Sequence, residues 1–600
     1  MKEGIWKKGL LAATFIASAG GCIGEGAHGT AGGDWGNADE YPDVGGAYAS
    51  LTALTGTCTF VPMTGVMTIN GSDTAQTIII GRRAVDSAIL VNGSTCGSPA
   101  ATSTTLKILN VNQGMGGDQV VIIDYINGLF ATGTSAARGM NVDLGAGSDS
   151  LRIRGTTGAD VFTFGALGLA VNNDTSRDID VANVESFNVS LSSGADSFTA
   201  AGGAGGAGGA FGTLVTVYGG DANDIIVGSA QDDVIYGGDG VDTITGGLGN
   251  DTISGDAGDD MILEGAATSG DDVFDGGAGN DTVSYALRTN VITVTVGDVL
   301  TDDGESGEAD DVQTTVEIVM GGLGADVLTG DGGANTLFGG AGDDVLTGGA
   351  GADILNGDAG NDTFGEEAAS SGGDTFNGGA GIDTVDYSLR TAALTVTMDG
   401  VTANDGESAE LDNVKADVEN ILGGTSDDTI TGNLSANAIT GGDGNDTIDG
   451  GAGNDTFVEE AASNGGDVFI GGLGADVVDY SLRTNDLTVT MDGVAADDGE
   501  ASEADNVHAD VEGILCGDGD DTITGNALAN DMDGGAGADT MDGAAGGDTI
   551  FGNAGDDDLT GGAGDDTLDG GAGDNNLTCG TGDDIAYNEG AGTRAADCEL

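Results

Sequence analysis

Positive charge is what this chain has least of. Only 15 Lys and Arg stand against 100 Asp and Glu in 600 residues, a formal net charge of −85. A field of that sign repels nucleic acid and anionic membrane surfaces and draws in cations. Histidine is almost missing: His28 and His508 are isolated, which excludes an H-E-x-x-H zinc site, and no G-x-S-x-G nucleophile motif occurs. The three prolines, Pro42, Pro62 and Pro99, all lie near the N-terminus. Six cysteines are too few for a disulfide scaffold and fit an oxidising compartment with a few staples. Cys58 with Cys96 and Cys579 with Cys598 make plausible pairs, leaving Cys22 and Cys516 over.

Long apolar runs are lacking too. The longest early one, Leu10–Ile16, follows Lys2, Lys7 and Lys8 and is too short to span a bilayer, so residues 1–21 read as an export signal peptide. Two endings stay open. Ala17-Ser18-Ala19 is an A-x-A cleavage site that would release the protein. Ala19-Gly20-Gly21-Cys22 resembles a lipobox, and lipidation at Cys22 would anchor it to a membrane surface as a lipoprotein.

Glycine, by contrast, is abundant, at 117 residues. Glycine with high acidic charge usually signals disorder, but here both are phased. Gly237–Thr245 reads GGDGVDTIT, followed without a gap by GGLGNDTIS and GDAGDDMIL. The unit is G-G-x-G-x-D-x-U-x, with U a large apolar residue, and about 25 copies run from about 219 to 584. Its first six residues suit a turn, with glycines allowing positive φ and close approach. Its last three suit a short strand that buries U. Two units make one coil, and stacked coils bring the Asp of one turn near the carbonyls of the next. Carboxylate and carbonyl oxygens without imidazole or thiolate favour calcium. One buried apolar side chain per nine ordered residues is too little to offset chain entropy. Stability is therefore expected to depend on the ion.

The expected organisation begins with residues 22–110, an irregular β-rich region, and 111–215, a degenerate β-solenoid in which GAGSDSL and GTTGADVF keep part of the motif. Ala200–Ala210, nearly pure Gly and Ala, reads as a flexible excursion. Repeat blocks follow at 216–284, 321–386, 423–479 and 516–587, with a C-terminal cap at 588–600. Between the blocks lie three mutually similar spacers, 285–320, 387–422 and 480–515, starting at Tyr285, Tyr387 and Tyr480. Each holds an alternating strand such as Leu394–Met398 and an acidic turn, and each is expected to continue the stack as a wider β coil. The tyrosines are expected to pack against the coil and His508 to lie at the surface. The acidic pairs Asp302-Asp303 and Asp497-Asp498 read as solvated turns or extra cation ligands.

These nonapeptides resemble the RTX, or haemolysin-type, calcium-binding repeats of bacterial exported proteins. The resemblance implies an all-β fold: a right-handed parallel β-roll, a β-solenoid of calcium-binding repeats, here interrupted by three β spacers. It also implies multiple Ca2+ ions held by the sixth-position aspartates. In block 1 these are Asp224, Asp233, Asp242, Asp251, Asp260 and Asp281. Block 2 supplies Asp326, Asp344, Asp353, Asp362 and Asp383, and block 3 Asp428, Asp446, Asp455 and Asp476. Block 4 supplies Asp521, Asp539, Asp548, Asp557, Asp566 and Asp584. Asn335, Asn437, Asn530 and Asn575 hold the same position, where weaker or empty sites are expected. Two features depart from the family's toxins: the export signal sits at the N-terminus, and the catalytic or pore-forming domain that many members carry is missing.

The functional expectation is a non-enzymatic, secreted or lipid-anchored calcium-binding protein with a structural, adhesive or matrix role. Its partners would be calcium and cell-surface polysaccharide or other matrix proteins, with no nucleic acid and no membrane contact beyond an anchor at Cys22. The alternatives are a secreted hydrolase (protease, lipase or glycan-active enzyme) with an RTX tail, and an RTX toxin-like protein.

Overall fold

The computed structural model describes residues 57–598 with gaps, and runs unbroken from 209 to 587 apart from 299, 301, 402, 495 and 502. The signal at 1–21, Cys22 and most of Ala200–Ala210 lie outside the described residues.

All regular structure among the described residues is β-strand. Most nonapeptides contribute a short strand with one buried residue between two more exposed ones, as in Thr243–Thr245, where Ile244 is fully buried. Period-two geometry sends U inward and its neighbours outward. The strands pair in parallel at a step of one coil, so Ile226 aligns with Ile244 and Ile244 with Ile262. On the opposite face Val217 aligns with Ile235 and Ile235 with Ile253. These buried side chains join one continuous core along the stack. The result is the all-β stack of parallel strands that the repeat implies.

The stack starts earlier than the sequence suggests. Val66–Asn70 pairs in parallel with Ile108–Asn112, and Gln76–Arg82 with Gln119–Asp124, which pairs in turn with Ser150–Arg154. Regular coiling therefore already includes residues read as irregular, because alternating Ile and Val (Ile78, Ile80, Val121, Ile123) bury the same face without the glycine turn. Strand Thr57–Val61 folds back antiparallel on Val66–Asn70. Cys58 is bonded to Cys96, and Cys579 to Cys598, as the spacing suggested. Cys516 is free and buried.

Each spacer interrupts one face and leaves the other whole. At the first, Thr282–Ser284 pairs directly with Ile318–Met320, so that sheet runs on. On the other face the chain goes ahead to form Ile292–Thr295, which founds a new sheet with Val327–Thr329. It then turns back, and Asp311–Val312 completes the old sheet against Val273–Asp275. The same reversal recurs in the second and third spacers. Asp303 closes the break between the two sheets. Its Oδ1 accepts the Thr295 N–H at 2.7 Å and its Oδ2 the Val312 N–H at 2.9 Å. Asp405 and Asp498 do the same for Thr397 with Val414 and Thr490 with Val507. Asp303 and Asp498 are thus neither solvated nor spare ligands, which corrects the expectation from their paired sequence. Their burial is forced by two backbone N–H groups that the reversal leaves without a ladder partner.

Candidate metal centres

All 21 sixth-position aspartates are buried. The turns stack so that each carboxylate reaches back one coil: Asp242 Oδ1 accepts the Asp224 N–H at 2.7 Å, and Asp260 Oδ1 the Asp242 N–H at 2.7 Å. Ladders of this kind run 224–242–260–281 and 233–251–272 in block 1, then 326–344–362–383 and 335–353–374 in block 2. Block 3 has 428–446–467 and 437–455–476, and block 4 has 521–539–557–575 and 530–548–566–584.

Most turns fall into two states. In the open state the second residue, and in most turns the fourth, has positive φ, as at Gly238 (+112°) and Gly240 (+151°) before Asp242. Oδ2 of the aspartate then has no hydrogen-bond partner in the protein, as at Asp242, Asp344, Asp446 and Asp539. A buried oxygen so placed needs a partner of another kind. The glycines show where that partner fits. A Cβ at Gly237 would lie 2.5 Å from Asp242 Oδ2 and 2.6 Å from the Gly255 carbonyl oxygen of the next coil. Carboxylate and carbonyl oxygens therefore face one small space that only glycine leaves clear, and this hard-oxygen set fits calcium.

In the closed state the turn satisfies itself. Asp326 Oδ2 accepts the Gly322 N–H at 2.6 Å and Oδ1 the Ile292 N–H at 2.9 Å. Asp428 likewise takes Gly424 and Leu394, and Asp233 takes Ser229 and Val215. Second and fourth residues of these turns lack positive φ. Asn335, Asn437 and Asn530 close their turns in the same way, each Oδ1 accepting the N–H four residues back. The turn of Asp521 fits neither state: its second and fourth residues, Gly517 and Gly519, lack positive φ, yet its Oδ2 accepts no backbone N–H, and at position one is Cys516, whose buried thiol lies against the carboxylate.

Crowding carboxylates away from water raises their pKa. Burial first, then neighbouring carboxylates, push Asp251 up to about 8 and Asp344, Asp446 and Asp539 to about 7. Deprotonating them in the fold therefore calls for a compensating cation.

At the three block ends that cation is part of the chain. Arg288 is fully buried, 2.8 Å from Glu264 and 2.9 Å from Glu308. Arg390 pairs with Glu366 and Glu410, and Arg483 with Glu459 and Glu503. Beside them Tyr285, Tyr387 and Tyr480, buried as expected, donate to Asp310, Asp412 and Asp505 at 3.0, 3.2 and 2.9 Å. Carboxylate oxygens of Glu366, Glu410 and Asp412 lie within 4.8 Å of one another, as do those of Glu459, Glu503 and Asp505. The guanidinium supplies the positive charge there.

Sequence reasoning missed Asp272, Asp374 and Asp467, which take ladder positions after turns three residues longer than the rest. The retained D-x-U triplet Asp272-Val273-Phe274 was the available signal. It missed the arginine clusters too, although Glu264, Glu366 and Glu459 each stand 24 residues before an arginine of the repeated L-R-T.

No curated protein matches the chain. The family model for the RTX calcium-binding nonapeptide repeat (4 copies) matches residues 218–253, 236–263, 266–286, 315–346, 329–364, 369–386, 422–457, 461–481, 517–550 and 551–586. These ranges coincide with the four blocks and the coils that carry the carboxylate ladders, and the chain is an RTX-type calcium-binding nonapeptide-repeat protein.

Proposed function

We propose that this protein is a non-catalytic, exported calcium-dependent rod with a structural, adhesive or matrix role outside the cell. The calcium ligands are the open-turn aspartates, each through Oδ2, together with carbonyl oxygens of adjacent coils. The observation that carries the reading is the row of buried carboxylate oxygens without a protein partner, repeated at one position per turn. Bound calcium supplies the charge that cancels carboxylate repulsion, and the chain supplies everything else. The glycines hold the space, the Oδ1 ladder orients each carboxylate, and U excludes water from the centre of the coil.

Because the ion binds the stacked state and not the unfolded chain, its binding energy is folding energy. Extracellular calcium, at millimolar levels, would then act as the folding signal after export. Circular dichroism of the full chain with millimolar calcium and with excess chelator tests this. Chelation is expected to remove most of the β signal; an unchanged spectrum and melting temperature would sink the reading. Hydrolytic turnover by the calcium-loaded chain on polysaccharide, lipid or peptide substrates would overturn its non-catalytic part.

A further inference from the structure

Resting on the calcium role proposed above, we infer that an aspartate at the sixth position takes an ion only where the backbone of its turn is in the open state. The distribution of the two states gives this its content. Blocks 2 and 3 each open on two closed turns, Asp326 with Asn335 and Asp428 with Asn437. Every carboxylate oxygen of Asp326, Asp428 and Asp233 already accepts a backbone N–H. To ligate, such a turn must break that bond and drive its second and fourth residues to positive φ. Asp256, Asp358 and Asn553 adopt positive φ at the second position of open turns, whereas Asp331, Asn433 and Asn526 at the second position of the asparagine turns do not. Their side chains instead cap the N–H two residues on, which holds the turn closed.

The structure thus withholds calcium from Asp233, Asp326 and Asp428. At the first two spacers the ions fall into separate runs, divided by a metal-free junction made of an arginine-centred spacer and a closed pair.

Asn575 provides the control, since its turn is open, with φ of +65° at Gly571 and +156° at Gly573. Its Oδ1 takes the ladder bond from Asp557, and its Nδ2 points where other turns present an oxygen, donating to Gly570. Ions per chain can be counted by native mass spectrometry of the full chain, equilibrated with millimolar calcium, for wild type and two variants. N575D is expected to gain about one ion. The triple variant N335D/N437D/N530D is expected to gain none, although it adds three carboxylates; Asp233, Asp326 and Asp428 show that a closed turn accommodates aspartate. A gain of about three ions in that triple, or no change in N575D, overturns the inference while leaving calcium binding intact. A wild-type chain that retains no calcium overturns the proposed function as well, so the two failures are distinguishable.

Discussion

A carboxylate in an open turn is a strained choice until a cation arrives. Burial holds Asp251, Asp344, Asp446 and Asp539 between about 7 and 8, against roughly 3.9 for an unfolded aspartate. Between those values the folded chain binds more protons than the unfolded one. Metal-free stability is therefore greatest at acid pH and is lost as pH rises from about 4 towards 8. With calcium the sign reverses, because ligation needs the deprotonated form. Thermal melts at pH 5 and pH 8 should show the melting temperature falling with pH in chelator and rising with pH in calcium. A rise in both would contradict the assigned environment. The buried arginines make a second residue-scale prediction. Arg390→Met leaves Glu366 and Glu410 without their cation and should cost about 3–5 kcal/mol in urea unfolding at saturating calcium. Adding Glu366→Gln and Glu410→Gln should restore most of it. Which aspartates would be buried in the turns was legible in the sequence, because their position repeats at a fixed step. That three of them sit in closed turns was not. It involves long-range bonds such as that from the Ile292 N–H to Asp326, 34 residues away, which a nine-residue period does not announce.

At the scale of the turn and strand, glycine has different meanings at different positions. A Cβ at Gly339, first in the open turn of Asp344, would come within 2.3 Å of that carboxylate's Oδ2. Gly339→Ala should displace Asp344, cost about 1–3 kcal/mol and lower calcium affinity, read by calorimetric titration. Gly332, inside the closed turn of Asn335, has nothing within 4 Å of its would-be Cβ, and Gly332→Ala should stay within about 0.5 kcal/mol of wild type. Equal effects at the two positions would argue against the crowding assigned to the first one. The three-residue strands were readable from U alone, since a period-two triplet between glycine turns has one way to bury its apolar residue. The early coils were not, because Ile78 and Ile80 keep the alternation without the turn that announces it. The spacer reversal was also hidden. Nothing local to Leu394–Met398 says that it pairs forward with Thr429–Thr431 before the chain comes back to complete the earlier sheet.

For the whole molecule, charge decides the dimensions. A chain of net −85 without its cations is expected to expand towards a radius of gyration of about 90 Å for 600 unfolded residues. Small-angle scattering should follow the contraction as calcium is added; a radius indifferent to calcium would count against ion-dependent stacking. The disposition of the spacers has a mechanical consequence. The face interrupted at the first spacer runs unbroken through the second and third, and the other face runs unbroken through the first. The breaks are staggered like joints in brickwork. A pull along the axis therefore meets no cross-section where both hydrogen-bonded walls end together, and at each spacer the load passes through one intact wall.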